Sequence, residues 1–421
     1  MNSSQRFPGA QPDLTRRRFL GLSLGVAGLS GLSAGQLWAQ PNADSPQLAE
    51  AIARLAYLTP DEQFVSFGRG NPPPCDLPLE KRRAVGLTRE TWQLEVVPDA
   101  DSDTKLDHPL SRALGTALNW EGLMQLAEKH AVRFLHVMSC TNAHAPLGMG
   151  LWEGVPLREV IWLTRPTANV RRVSYYGYHN DDLQQRFQSS LAVDRVLEDP
   201  PGELPVILAY KLNGQWLSPK RGGPARLFVP DAYGNKSVKW LQRVVLTNNI
   251  QLNDTYAGWN NDTESHLKTC AFFLETPGAA KAGEAVPITG LAQVGMSGLG
   301  KVQFCLVPQG LPALKDTDLL AGADWRDAEV LPPPVHWGGG LPEGRLPANT
   351  FGIDPATGNP RTWPLRNTIV HWVALLTDLK PGKYDLCCRT IDANGLAQPM
   401  PRPLLKSGYN AIQKKPLAVE A

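Results

Sequence analysis

The sequence predicts an α+β fold in two parts, a mixed helix-and-strand region up to about residue 278 and an all-β sandwich beyond it. Strand-like segments are short, rich in β-branched and aromatic residues, and bounded by Gly, Pro or Asn. Segments with helical periodicity are few and confined to the first part. The 38 Gly and 37 Pro are spread along all 421 residues, which favours many turns over long helices.

In the first part, helices are expected at 46–58 (PQLAEAIARLAYL), 118–130 (LNWEGLMQLAEKH) and 156–163 (PLREVIWL), where apolar residues recur at helical spacing. Strands are expected in TWQLEVV, VRFLHVMSC, VRRVSYYGY, PVILAYKL, ARLFVP and KWLQRVVL. The small, polar stretch 276–285 (TPGAAKAGEA) reads as a linker. After it, AVPITGLAQVG, KVQFCLV, TIVHWVALLTDL and KYDLCCRTIDA alternate with turn-rich loops, as the strands of a sandwich do. The domains expected are therefore 40–278 and 279–421.

Residues 15–21 read TRRRFLG and precede a weakly apolar, Gly- and Ala-rich stretch ending near Ala39. This is the pattern of a twin-arginine export signal over residues 1–39, and its glycines and serines suit a signal better than a membrane-spanning helix. It implies the twin-arginine translocase as a partner and a periplasmic location. That route carries chains already folded, commonly because a cofactor must be inserted first. Net charge is +2, and the arginines of the signal account for the excess, so nothing points to nucleic acid. The six cysteines (Cys75, Cys140, Cys270, Cys305, Cys387, Cys388) form neither zinc-ribbon pairs nor a haem-attachment motif, so any haem belongs to another protein.

The stretch from Phe134 to Ile161, FLHVMSCTNAHAPLGMGLWEGVPLREVI, delivers one cysteine from a strand into a loop and continues into a Trp-Glu-Gly-Val-Pro-Leu turn ahead of a helix. It resembles the molybdenum-cysteine segment of the sulfite oxidase family. Further matches are SFGRGNPPP (66–74), GQWLSPKRGGPARLFVPDAYGNKSVKWLQRVVL (214–246) and KYDLCCRTIDANGLAQP, the last similar to the family's C-terminal, immunoglobulin-like dimerisation domain. The resemblance implies a molybdenum–molybdopterin cofactor with the Cys140 thiolate on the metal, and a homodimer. A soft thiolate suits that metal beside the two sulfurs of the cofactor's dithiolene.

By the same resemblance Arg221, Arg226 and Lys239 anchor the cofactor, whose phosphate needs cationic partners wherever it is buried. Asn71 and Asn142 are cofactor contacts, and Arg69 and Tyr256 lie on the substrate side. His144 and Ala145 stand where sulfite oxidases carry an arginine pair, so one anion clamp is missing and His144 is a candidate replacement donor. The implied activity is oxygen-atom transfer on a small sulfur oxyanion such as sulfite, with electrons leaving to an acceptor such as a periplasmic cytochrome. Sulfoxide reduction, or a cofactor-binding chain of altered activity, remains open. A zinc hydrolase built on His136, Cys140 and His144 is a remoter reading.

Overall fold

Strand β1 (Gln93–Pro98) sits between β2 (Leu118–Asn119) and β10 (Leu241–Thr247), and β10 continues through β5 (Arg172–Gly177) to β6 (Gln188–Ala192). The β1–β10 pair is parallel, aligning Glu95 with Arg243, whereas the other pairs run antiparallel. In this computed structural model residues 46–421 are described, except 69, 142, 183–184, 257–261, 311–319, 321 and 399–410. The signal read over residues 1–39, Arg69 and Asn142 thus lie outside the described residues.

The first sheet buries Leu94, Val96, Val173, Tyr175 and Val244 against α3 (Trp120–His130), α4 (Leu157–Trp162) and α5 (Val193–Leu197). Helix α3 starts two residues later than its periodicity suggests. Leu118 and Asn119 pair with β1, and the Asn119 side chain accepts from the Gly122 N–H at 2.9 Å, an N-cap; Glu121 in the first turn and Lys129 in the last complement the helix dipole. Helix α1 (Pro46–Ala53), followed in the chain by α2 (Leu79–Ala84), ends sooner than expected as well. Tyr57 and Leu58 leave it to pack against Trp337 and Leu341, and the Leu58 N–H donates to the Trp337 carbonyl.

A second sheet runs β3 (Val132–Met138), β4 (Gly148–Pro156), β7 (Ile207–Leu212) and β8 (Gln215–Trp216), with β9 (Arg226–Phe228) paired to β7. The Trp-Glu-Gly-Val-Pro stretch expected to turn is instead the second half of β4, buried on both faces; only at Leu157 does the helix begin. A Cβ on Gly154 would lie 2.6 Å from the Leu208 carbonyl oxygen and 2.8 Å from the Ala209 Cα, so β4 and β7 approach closely only because glycine stands there.

The third sheet has eight strands in the order β11 (Cys270–Glu275), β13 (Val286–Gln293), β16 (Ile369–Leu376), β15 (Arg326–Val330), β14 (Lys301–Pro308), β17 (Gly382–Ile391), β18 (Gln413–Glu420) and β12 (Ala279–Lys281). Strand β15 pairs with β16 through Glu329 and Val330 and with β14 through its first three residues. It links two halves that close over one core, in which Phe273, Ile288 and Trp372 of one half meet Val302, Leu386 and Leu417 of the other. β11 precedes residue 278 yet belongs to this sheet, and β12 lies inside the stretch read as a linker, paired in parallel with β18.

The two regions share a core and a hydrogen-bonded seam. Leu135, Val137 and Met149 pack with Tyr233, Trp337 and Ile369. The Val137 N–H donates to the Asn367 carbonyl at 2.7 Å, and the Ser139 hydroxyl bonds the Gln293 side chain. The end of β3 is thereby pinned one residue before Cys140.

Gly154→Ala is expected to lower stability by about 1–3 kcal/mol through overpacking against the β7 backbone. Urea unfolding of the two proteins checks this, and an unchanged midpoint would contradict it.

Candidate active site

Residues 139–147 connect β3 to β4, closed by the Leu147 N–H donating to the Met138 carbonyl at 2.8 Å, and Cys140 occupies the start of that connection. Its thiol is half-buried and unbridged, and it lines a cavity of about 190 Å³. Arg221, Arg226, Lys239 and Tyr256 line the same cavity, so five of the residues singled out from sequence converge there. Asn71 and His144 are exposed and do not line it.

The cationic wall is built by three local devices. Arg226 opens β9 and is buried; its guanidinium donates to the Arg221 carbonyl at 3.0 Å and the Ser237 carbonyl at 2.6 Å, while its Nε has no hydrogen-bond partner among the described residues. Arg221 ends a 3-10 turn over Pro219–Arg221, donates to the Phe64 carbonyl at 2.6 Å and lies 2.9 Å from the half-exposed Asp61 carboxylate. Lys239 donates to the Ser66 hydroxyl and to the Lys220 and Phe67 carbonyls. Gly222, at φ +92°, admits it closely, since a Cβ there would fall 2.7 Å from the Lys239 Cβ.

Electrostatically the wall is under-compensated. Asp61 at the rim is its only carboxylate ion-pair partner among the described residues, against three cations. Burial, then the charges of Arg226 and Arg221, push the Lys239 ammonium down to about 7. Burial, then Arg221, pushes Arg226 down to about 9, and burial lowers Arg221 despite Asp61. A buried anion would reverse these costs by charge-assisted hydrogen bonds. The orphaned Arg226 Nε and the excess positive charge thus fit the terminal phosphate of a pterin cofactor, while Met138, Trp152 and Trp240 offer apolar surface to its ring system. When bound, that cofactor supplies a redox metal for which Cys140 is the available soft ligand.

In the same cavity Tyr256 stacks edge-on to Phe187, ring centres 5.5 Å apart, and His179 stands edge-on to Trp240. His179, Asn235 and Ser237 also line the cavity without having stood out in the sequence, although the last two lie within the segment DAYGNKSVKW. The same cavity takes Phe64, Val65 and Phe67 from the segment preceding Gly68.

His136 cannot serve as a zinc ligand. Its Nε2 accepts the Asp231 N–H at 3.2 Å, its Nδ1 lies 2.5 Å from the Val137 carbonyl, and burial pushes its imidazolium down to about 3. Among the described residues no cluster of three His, Cys, Asp or Glu could hold a metal.

Residues 85–254 match the family described as the oxidoreductase molybdopterin binding domain. The chain is 33% identical over 177 residues to the NADH nitrate reductase of Lotus japonicus, covering 40% of this chain and 19% of that protein. It is 31% identical over 104 residues to the NADPH nitrate reductase of Beauveria bassiana, covering 24% of this chain and 11% of that one. The matched stretch is therefore a small fraction of those proteins' length. In fold, the chain resembles the sulfane dehydrogenase SoxCD of Paracoccus pantotrophus, with a TM-score of 0.53 at 16% identity over 79% of this chain and 77% of that one. Residues 85–254 therefore mark the chain as a molybdopterin-binding oxidoreductase.

Since Lys239 holds its proton less firmly than a free lysine, an anion seated beside it gains most below pH 7. Sulfate, whose charge is constant from pH 6 to 9, should bind cofactor-free protein more weakly as pH rises through 7, by up to about tenfold per pH unit. Calorimetric titration checks this; Lys239→Met should flatten the profile, and a profile unchanged by that substitution would contradict the assignment.

Proposed function

We propose that this enzyme transfers oxygen between water and a small sulfur oxyanion such as sulfite, passing two electrons to an external acceptor such as a periplasmic cytochrome. The observation that carries the reading is the meeting of the Cys140 thiol with Arg221, Arg226 and Lys239 in one cavity. In it, Cys140 ligates the metal, the three cations hold the cofactor's phosphate, and Tyr256 directs its hydroxyl at the substrate, with Arg69 as the anion clamp and Asn142 as a further cofactor contact. Export by the twin-arginine route to the periplasm follows from the TRRRFLG pattern, and the eight-stranded region serves as an immunoglobulin-like dimerisation domain.

The likeness to SoxCD, described as a sulfane dehydrogenase, supports a sulfur substrate. A second reading, reduction of a nitrogen oxyanion, is favoured by the identity to nitrate reductases. A dye-linked screen over sulfite, thiosulfate, sulfoxides and nitrate separates the two: sulfite or thiosulfate oxidation is expected, and nitrate reduction alone would overturn the preferred reading.

Arg226→Ala should lower molybdenum per chain by about tenfold or more, the loss expected from removing a buried charged hydrogen-bond donor. Elemental analysis of the purified variant checks it, and full loading would place the anchor elsewhere.

A further inference from the structure

Lys236 has no exposed surface, yet it is not part of the cavity wall. Its ammonium lies 2.6 Å from the Asp254 carboxylate and donates to the Ser190 carbonyl at 2.9 Å. Asp254 also accepts the hydroxyls of Ser189 at 3.0 Å and Ser190 at 2.7 Å, so both charges are paired and hydrogen-bonded. The flanks of this pair are functional surfaces. On one side stand Ser237, whose carbonyl holds Arg226, and Lys239; the Tyr175 hydroxyl grips the Lys236 carbonyl at 2.9 Å. On the other side Thr255 exchanges hydrogen bonds with Gln188, its N–H donating to the Gln188 carbonyl and its hydroxyl accepting the Gln188 N–H, each at 3.0 Å, and Tyr256 follows.

We infer that the buried Lys236–Asp254 pair is a positioning strut that ties the cationic wall at 235–239 to the loop carrying Tyr256, so that seating the anionic cofactor and orienting the tyrosine hydroxyl are a single event. A buried ion pair is a weak source of stability compared with apolar packing of the same volume, which leaves geometric specification as its use. Small errors in the placement of a reacting group are expensive in rate. The inference rests on Tyr256 facing the substrate.

The decisive comparison is hydrogen–deuterium exchange of cofactor-free and cofactor-loaded protein, wild type against Lys236→Met/Asp254→Asn, a double variant that leaves no charge buried alone. In the wild type, loading should protect peptides covering 235–239 and 250–256 together. In the double variant molybdenum per chain and protection of 235–239 should persist, whereas 250–256 should exchange about tenfold faster and no longer respond to loading. Wild-type protection of 250–256 in the double variant would overturn the strut.

Turnover, read with sulfite or with nitrate where sulfite is inert, adds a test against Tyr256→Phe. The double substitution should cost about tenfold in kcat/KM with Tyr256 present and nothing further in Tyr256→Phe. Losses that multiply independently would refute the coupling while leaving the tyrosine's role intact. A Tyr256→Phe enzyme with wild-type kcat/KM would remove the substrate-side reading, and the exchange result would still decide the strut.

Discussion

The site depends on positive charge gathered where water is scarce. Arg226 and Arg221 are buried, Lys239 is half-buried in the same cavity wall, and Asp61 at the rim is the one carboxylate partner among the described residues. Such a wall is costly by itself, because three cations lose hydration while only Arg221 gains a carboxylate counter-ion among the described residues. Its cost becomes intelligible as half of a binding interaction whose other half is an anionic guest. The backbone carbonyls of Phe64, Arg221, Ser237 and Lys220 absorb part of the penalty and hold the cations in place.

The fold supplies this arrangement from several directions. The second sheet delivers Cys140 from β3 and Arg226 from β9, and the turn at 219–221 brings Arg221. The C-terminal sheet takes part at a distance, since Gln293 of β13 and Asn367 ahead of β16 hold the end of β3 through Ser139 and Val137. That seam makes the thiol's position depend on a region that contributes none of the described residues of the cavity wall. A loosened C-terminal region would therefore be felt at the site through β3, and through Asp231 and Tyr233, which contact Asn367 and Trp337.

Much of the site is legible in the sequence because its chemistry is concentrated in short segments. Cys140, Arg226 and Lys239 stand in motifs whose residue types, taken together, suit few chemistries besides this one. Residues such as Trp152, His179 and Phe187 are not legible, since whether an aromatic lines a cavity or fills a core depends on strands far away in sequence. A glycine misleads most in the fold: Gly154 makes the second half of β4 read as a turn, although it marks close strand contact. Strand β12 escapes the sequence for another reason, as its three residues are defined by pairing with β18 some 140 positions away. The helix starting at Trp120 is plain because period and charge pattern agree, and only its cap lies outside the period.

The central claim concerns the sulfur of Cys140, and counting the sulfur atoms bonded to molybdenum tests it most directly. X-ray absorption at the molybdenum edge should find about three sulfur ligands in the loaded wild type and about two in loaded Cys140→Ser, the dithiolene pair alone. An unchanged count in that variant would show that the thiolate does not reach the metal.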